Sequence, residues 1–364
     1  MKSFRSVFLV CSILLFFCLG HSSSDDSNSS KLQDRQGKEA YATLITTKEY
    51  IQGAIVLSRI VKSTDEERPF IALVLDELLL NLGGSAIRRT LEDNGIEVVP
   101  VPRVKRPTGA GALSYPNYAT TYSKLFVWNL TAYRLVLYLD ADLLPLSSLA
   151  PLFDRDVDVV AAVPDISLPD HFNSALVLLR PNLLHLQRLL ALSSSLEPYD
   201  GGDQGLLNEF FNNNSAWYES HSSNRLGLEL NLPVVLSRLH PRSWLRTLPR
   251  AKVEEEQRSN LPSCLLSSQV IHFSGGPDRR PWGIAGAVDP SVAAAALVWH
   301  AVLCKRCFDV NGTRRSGRAG GRGSCLRADQ VRKLIALPVN NAMAVRSMGP
   351  AAFKAKVKEI LQDE

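Results

Sequence analysis

Two carboxylates, Asp140 and Asp142, close the apolar run of LVLYLDADLLPL (135–146), with Ala141 between them. A strand buried on both faces cannot keep carboxylates along its length, but its exit can. Asp-x-Asp at such an exit suits a hard divalent cation, Mn²⁺ or Mg²⁺, that shares oxygen ligands with a diphosphate. The metal would neutralise charge on a phosphate leaving group. As a bare pattern Asp-x-Asp is cheap: Asp154/Asp156 and Asp156/Asp158 repeat it. Those two precede the strand VDVVAAV and read as solvated turn charges.

Three further clusters are polar where a core-building segment should be apolar. FNSALVLLRP (172–181) opens a strand with Asn173 and Ser174. YDGGDQGLLNEFFN (199–212) sets Asp200, Asp203 and Gln204 around two glycines at a helix start. A helix cap and tight turn would account for one of those Asp residues, but not for Gln204 and both glycines. VIHFSGGPDRRPW (270–282) runs a strand into His272, then Gly275, Gly276, Arg279 and Arg280. Glycines that bare backbone N–H groups and paired arginines both suit phosphate.

The elements that must position these groups alternate. Strands are expected at 41–47, 70–76, 96–101 and 134–140, and helices at 49–63, 85–95 and 121–133. This βαβαβ rhythm and the near-continuous apolar strands predict an α/β fold, a mostly parallel twisted sheet with helices on both faces. Ligands of such sheets bind outside the carboxyl ends of the strands, where Asp140 and Asp142 stand.

The chain has 364 residues, 45% apolar and 21% charged, with a formal net charge of +5. That is a globular composition. The basic excess gathers in an Arg/Gly-rich stretch, 304–325, read as a solvated loop or a contact for an anionic membrane surface. Lys2 and Arg5 precede an apolar run, 7–19, that is shorter than the roughly 20 residues of a spanning helix. Residues 1–22 are therefore expected to be a signal peptide rather than an anchor, and 23–39 a polar spacer. The predicted location is the ER–Golgi lumen or outside the cell, which excludes nucleic acid as a partner. Outside the leader, Cys264, Cys304, Cys307 and Cys325 predict two disulfides with three pairings open. Sequons stand at Asn28, Asn129, Asn213 and Asn311.

In order and spacing, AYATLITTKEYIQGAIVLSRIV, YSKLFVWNLTAYRLVLYLDAD, FNSALVLLRP, YDGGDQGLLNEFFN and HFSGGPDRRPW resemble glycosyltransferase family 8, the glycogenin-like retaining transferases of GT-A type, Rossmann-like fold. The resemblance covers roughly 40–285, so 40–290 is expected to be the transferase domain and 291–364 a C-terminal helical region. It implies a UDP-sugar donor and Mn²⁺ bound by Asp140, Asp142 and His272. It places Thr43, Leu44, Thr46 and Tyr50 around uracil and ribose, Lys124 against the sugar-phosphate, and Ala141 among the donor-binding residues. Asn173 and Ser174 would surround the transferred sugar with Asp200, Asp203 and Gln204, Asp203 nearest the reacting carbon. Gly275, Gly276 and Arg280 would hold the diphosphate from the far side.

Departures from the family pattern are informative. The usual Lys-Pro-Trp is Arg280-Pro281-Trp282 here, and the segment after Leu232-Pro233 carries Leu236 and Ser237 instead of a Tyr-Asn pair. Between that Leu-Pro region and the His272 strand lies Trp244 but no Tyr, so self-glucosylation of glycogenin's kind is not expected. With the leader, this resembles the secretory plant glycogenin-like glucuronosyltransferases more closely. The expected reaction is transfer of a hexose or hexuronic acid to a glycan, glycolipid or protein. The competing reading is a secreted protein that binds a sugar or partner without transferring.

Overall fold

The computed structural model describes residues 38–105, 116–166, 170–212, 224–234, 269–275 and 280–282, together with 299, 308–309 and 326–327. Strand β1 (Glu39–Ile45) is followed by helix α1 (Tyr50–Thr64), β2 (Phe70–Leu75), the short α2 (Asp76–Leu80), α3 (Gly84–Glu92) and β3 (Ile96–Val101). A 3₁₀ segment (Pro116–Asn129) then leads into β4 (Leu135–Leu139), β5 (Leu143–Pro145), β6 (Val160–Pro164) and β7 (Phe172–Leu179). Helices α4 (Leu183–Ser193) and α5 (Asp203–Asn212) and strands β8 (Leu232–Pro233) and β9 (Val270–His272) follow. A two-residue parallel pair joins β10 (Phe308–Asp309), within the Arg/Gly-rich stretch, to β11 (Leu326–Arg327), just after it.

The main sheet has six strands in the order β3-β2-β1-β4-β7-β6. The first four run parallel, while β7 is antiparallel to both β4 and β6. From β1 the chain winds outward through β2 and β3, then returns to place β4 on the other side of β1. The reversal makes β1/β4 the switch point, where a crevice opens between diverging connections. Alternation along the strands feeds two cores. Tyr41, Val74, Leu137 and Leu178 pack against Ala54, Leu57, Ile87 and Leu91 of α1 and α3. Leu44, Leu73, Val136 and Leu179 face Leu125, Trp128, Leu189, Leu207 and Phe211 from the 3₁₀ segment, α4 and α5. Helices thus cover both faces, as the apolar strands required.

A second sheet, β5-β9-β8, is what joins the distant motifs. Antiparallel pairing sets Leu143 opposite His272, so the strand after the Asp-Ala-Asp turn carries the imidazole to it. The bond from the Phe273 amide to the Asp142 carbonyl, 3.1 Å, extends that register.

Two elements differ from expectation. The helix expected over 121–133 is a 3₁₀ run ending at Asn129. Tyr122 through Trp128 are all buried, so the segment has no polar face whose period could distinguish one helix type from the other. The extra helix α2 starts at Asp76, where a strand end was expected. Glu39, expected to end the spacer, already opens β1. Expectations for the leader, the rest of the spacer up to residue 37, the four cysteines, Trp244, Leu236 and Ser237 lie outside the described residues.

Candidate functional site

The site grows from the ends of β1 and β4. Beyond Leu139 the chain turns sharply: the Leu143 amide donates to the Asp140 carbonyl (3.1 Å) and the Asp140 amide to Ala175 of β7 (2.8 Å). Helix α1 packs so closely on this turn that a Cβ on Gly53 would stand 2.4 Å from the Ala141 carbonyl oxygen. Only glycine lets the helix brace the two carboxylates from below.

Asp140, Asp142 and His272 each offer a ligand atom within 4.8 Å of the others. His272 is buried, and burial first, then the positive charge of Lys124, pushes its pKa down to about 3. Its Nδ1 meets Asn231 Oδ1 at 2.9 Å, which leaves Nε2 facing Asp142. A neutral imidazole, oriented by a second-shell amide, beside two carboxylates fits a divalent cation of the Mn²⁺ or Mg²⁺ kind. Arg280, also buried, ion-pairs with Asp142 and donates to the Phe273 carbonyl at 2.7 Å. It was expected on the diphosphate's far side; here its charge is shared with a metal-ligand carboxylate.

Lys124 projects from the 3₁₀ segment into the floor of the site. It bridges Asp140 (3.1 Å) and Asp203 (2.6 Å) and also donates to the Ser174 carbonyl and hydroxyl. Burial opposes its charge, but the two carboxylates outweigh it and hold its pKa above the usual lysine value. Burial raises the Asp140 pKa and Lys124 works against that rise. Tyr138 donates to Asp140 at 2.7 Å. Ser174 donates to Asp203 at 2.8 Å, and its amide donates to Gln204 Oε1 at 3.2 Å.

Asp200 behaves as the helix-cap reading anticipated. Its Oδ1 accepts from the amides of Gly202 (2.9 Å) and Gly205 (3.1 Å), locking the entry to α5. A Cβ on Gly205 would sit 2.4 Å from that oxygen, so the cap accounts for this glycine. The turn in turn aims Asp203 and Gln204 inward.

These groups line one cavity of about 460 Å³, within the range of small-molecule sites. Its lining includes Leu44, Thr46 and Tyr50 from β1 and α1, Asp140, Ala141, Asp142, His272, Gly275 and Arg280 around the metal-ligand group, and Asn173, Ser174, Asp200, Asp203 and Gln204 from β7 and the entry to α5. Thr43 is a correction. It is fully buried and points to the α1 face of β1, because strand side chains alternate and the cavity takes Leu44 and Thr46. Gly276 and Arg279 fall outside the described residues. Trp282 meets the Tyr50 ring edge-on, 5.1 Å between centroids.

Several lining groups were not anticipated: Tyr138, Asp165, Tyr199 and, behind His272, Asn231. Asp165 accepts from Asn173 (2.9 Å) and Gln204 (3.2 Å), so it orients two of the expected sugar-facing amides. No motif marks an isolated Asp at a strand end, and only the β6–β7 pairing brings it here. Five carboxylates of the lining face two cations, Lys124 and Arg280. That excess would repel a diphosphate unless a divalent cation entered with it.

The chain carrying this site is similar to known proteins. The Glycosyl transferase family 8 model matches residues 43–284, and the chain belongs to that family. Human glycogenin-1 is 31% identical over 246 residues, covering 67% of this chain and 62% of that protein. Rabbit (Oryctolagus cuniculus) glycogenin-1 is 33% identical over 246 residues, covering 67% and 65%. The UDP-glucuronate:xylan alpha-glucuronosyltransferase 1 of Arabidopsis thaliana is 32% identical over 190 residues, covering 50% and 26%. The chain thus spans less than two thirds of the length of these curated relatives. A crystal structure of an active-site mutant of LgtC superposes with a TM-score of 0.50 at 16% identity, covering 73% of this chain and 95% of that one. This likeness is one of fold.

Proposed function

We propose that the chain transfers a hexose or hexuronic acid from a UDP-sugar, with retention of configuration, to a glycan, glycolipid or protein acceptor. The observation that carries this is the placement of Asp140, Asp142 and His272 in one cavity with the Lys124–Asp203–Ser174 network, which the Lys124–Asp140 ion pair joins to them. Asp140, Asp142 and His272 would hold Mn²⁺ or Mg²⁺, which supplies Lewis-acid stabilisation of the departing diphosphate. Leu44, Thr46 and Tyr50 offer an apolar and hydroxyl-bearing wall suited to a nucleoside. Arg280 keeps a fixed positive charge beside the ligand carboxylates. Lys124, ion-paired with Asp203 at 2.6 Å, aims it at the sugar end, where the anomeric C–O bond breaks and positive charge develops on carbon. Asn173 and Gln204, fixed through Asp165, would hold the sugar hydroxyls.

The lumen of the secretory pathway is the proposed setting, supported by the basic residues and apolar run of the N-terminus. No helix of the described residues is long and apolar enough to cross a membrane. The reaction is tested with purified protein, Mn²⁺ and a panel of UDP-sugars, with UDP release as the readout. Release from one donor, lost by at least a hundredfold in Asp142→Ala, is the expected result. Neither release nor UDP binding from any donor would sink the proposal.

A further inference from the structure

At the sugar end of the cavity stands an aromatic ring that donor chemistry leaves unexplained. Tyr199 is 58% exposed, yet it lines the cavity. Exposure alone would be ordinary for a surface ring; what sets Tyr199 apart is that it is held in a fixed position on the cavity lining. The ring is held in three ways. His171 stacks on one face, 4.6 Å between centroids and 10° from parallel. Gln204 Nε2 donates to the phenolic oxygen at 3.2 Å. The next residue, Asp200, caps α5 and so fixes the backbone.

His171 itself is set by the β6–β7 hairpin, where the Asp165 amide donates to its carbonyl at 2.7 Å. The same hairpin presents the Asp165 carboxylate and the exposed Ile166 along the cavity wall. A rigid aromatic face beside a carboxylate and amides is the chemistry that receives a ring with one C–H face and an equatorial girdle of hydroxyls. C–H groups cover the aromatic face, and hydroxyls donate to the carboxylate. Holding the ring in place beforehand lowers the ordering cost of binding.

We infer that Tyr199, backed by His171, is the platform of an acceptor subsite for a polyhydroxylated six-membered ring, rather than for an amino-acid side chain. This rests on the transferase reading of the cavity. The ring could be the end of a glycan or the headgroup of a glycolipid; the platform recognises the chemistry the two share. Tyr199 is a binding residue, and His171 a positioning residue that acts through it.

Saturation-transfer NMR tests this with full-length protein, Mn²⁺ and UDP. The probes are methyl glycosides of common pyranoses, myo-inositol, detergent-dispersed glycolipids carrying the same rings, and Ser-, Thr- or Tyr-containing peptides. UDP affinity is measured by calorimetry on every variant. The expected result is ring C–H saturation for at least one ring polyol, with Kd raised at least tenfold in Tyr199→Ala, kept within threefold in Tyr199→Phe, and raised less in His171→Ala than in Tyr199→Ala. UDP affinity should stay within twofold throughout. A glycolipid bound while its free glycoside is not assigns the ring to a lipid headgroup; the reverse assigns it to a glycan end. The inference is overturned if no ring polyol binds the wild type, if Tyr199→Ala binds as well as wild type, or if Tyr199→Phe loses as much as Ala. It is equally overturned if only peptides bind, or if UDP affinity falls in step with acceptor affinity. Wild type that binds no UDP overturns the transferase reading itself, whatever the glycosides do.

Discussion

Lys124 is the residue on which the floor of the site depends. It is buried between Asp140 and Asp203, and each carboxylate tolerates burial because the ammonium is there. Removing one partner of a buried ionic group leaves the others uncompensated, which costs about 3–5 kcal/mol. Lys124→Met is therefore expected to lower the unfolding free energy by that amount, and Asp203→Asn in the same chain should recover part of it. A double-mutant cycle by urea denaturation measures the coupling. Arg is not a substitute, since a planar fork cannot replace a point charge reaching four acceptors. At this scale the sequence is legible wherever a motif names the residue: Asp140, Asp142, His272, Asp203 and Gln204 all reach the cavity. Thr43 does not line the cavity because strand alternation, hidden where both faces of β1 are buried, sends its side chain to the other face. Asp165 is missed because it belongs to no motif, and Tyr199, although it opens YDGGDQGLLNEFFN, because only tertiary packing turns its ring to the cavity.

Helices α4 and α5 show what an element contributes. Asn182 caps α4, its Oδ1 accepting from the Leu184 (2.8 Å) and His185 (3.1 Å) amides. One turn in, the His185 ring presents its edge to Phe210 and Phe211 of α5, at 6.0 and 6.2 Å. Burial first, then the nearby Arg188, holds the His185 pKa below its ordinary value. The unfolded chain therefore binds this proton more readily, so the unfolding free energy falls as pH drops below about 6.5. Denaturation midpoints of wild type and His185→Gln at pH 7.5 and 5.5 should show a larger acid loss in wild type. Elements with uniform burial, β2 and β4, announce themselves as continuous apolar runs. The antiparallel direction of β7 and the two- and three-residue strands of the second sheet leave no such trace, because direction and pairing are decided by long-range contacts.

The whole molecule separates stability from chemistry along its strands. At the amino end of β1, Glu39 pairs with Arg68 (2.7 Å) and with Arg134, and Tyr41 donates to Asp65 at 2.7 Å. The carboxyl end of the same strand carries Thr46 into the cavity. Glu39→Gln is expected to cost about 1.5–3 kcal/mol, the worth of hydrogen bonds to charged groups. UDP affinity by calorimetry should be unchanged, because the sheet lies between the two ends. The parallel α/β core was readable from rhythm alone, but its closure was not, since β9 must return across a long stretch of chain to lie on β5. That return has a consequence for linkage. A cation held by Asp140, Asp142 and His272 binds only when β9 is seated, and at a hundred times its Kd it adds about 2.7 kcal/mol to the seated state. The metal site is in this sense also a clasp, and filling it holds β9 on β5 beside the Asp-Ala-Asp turn.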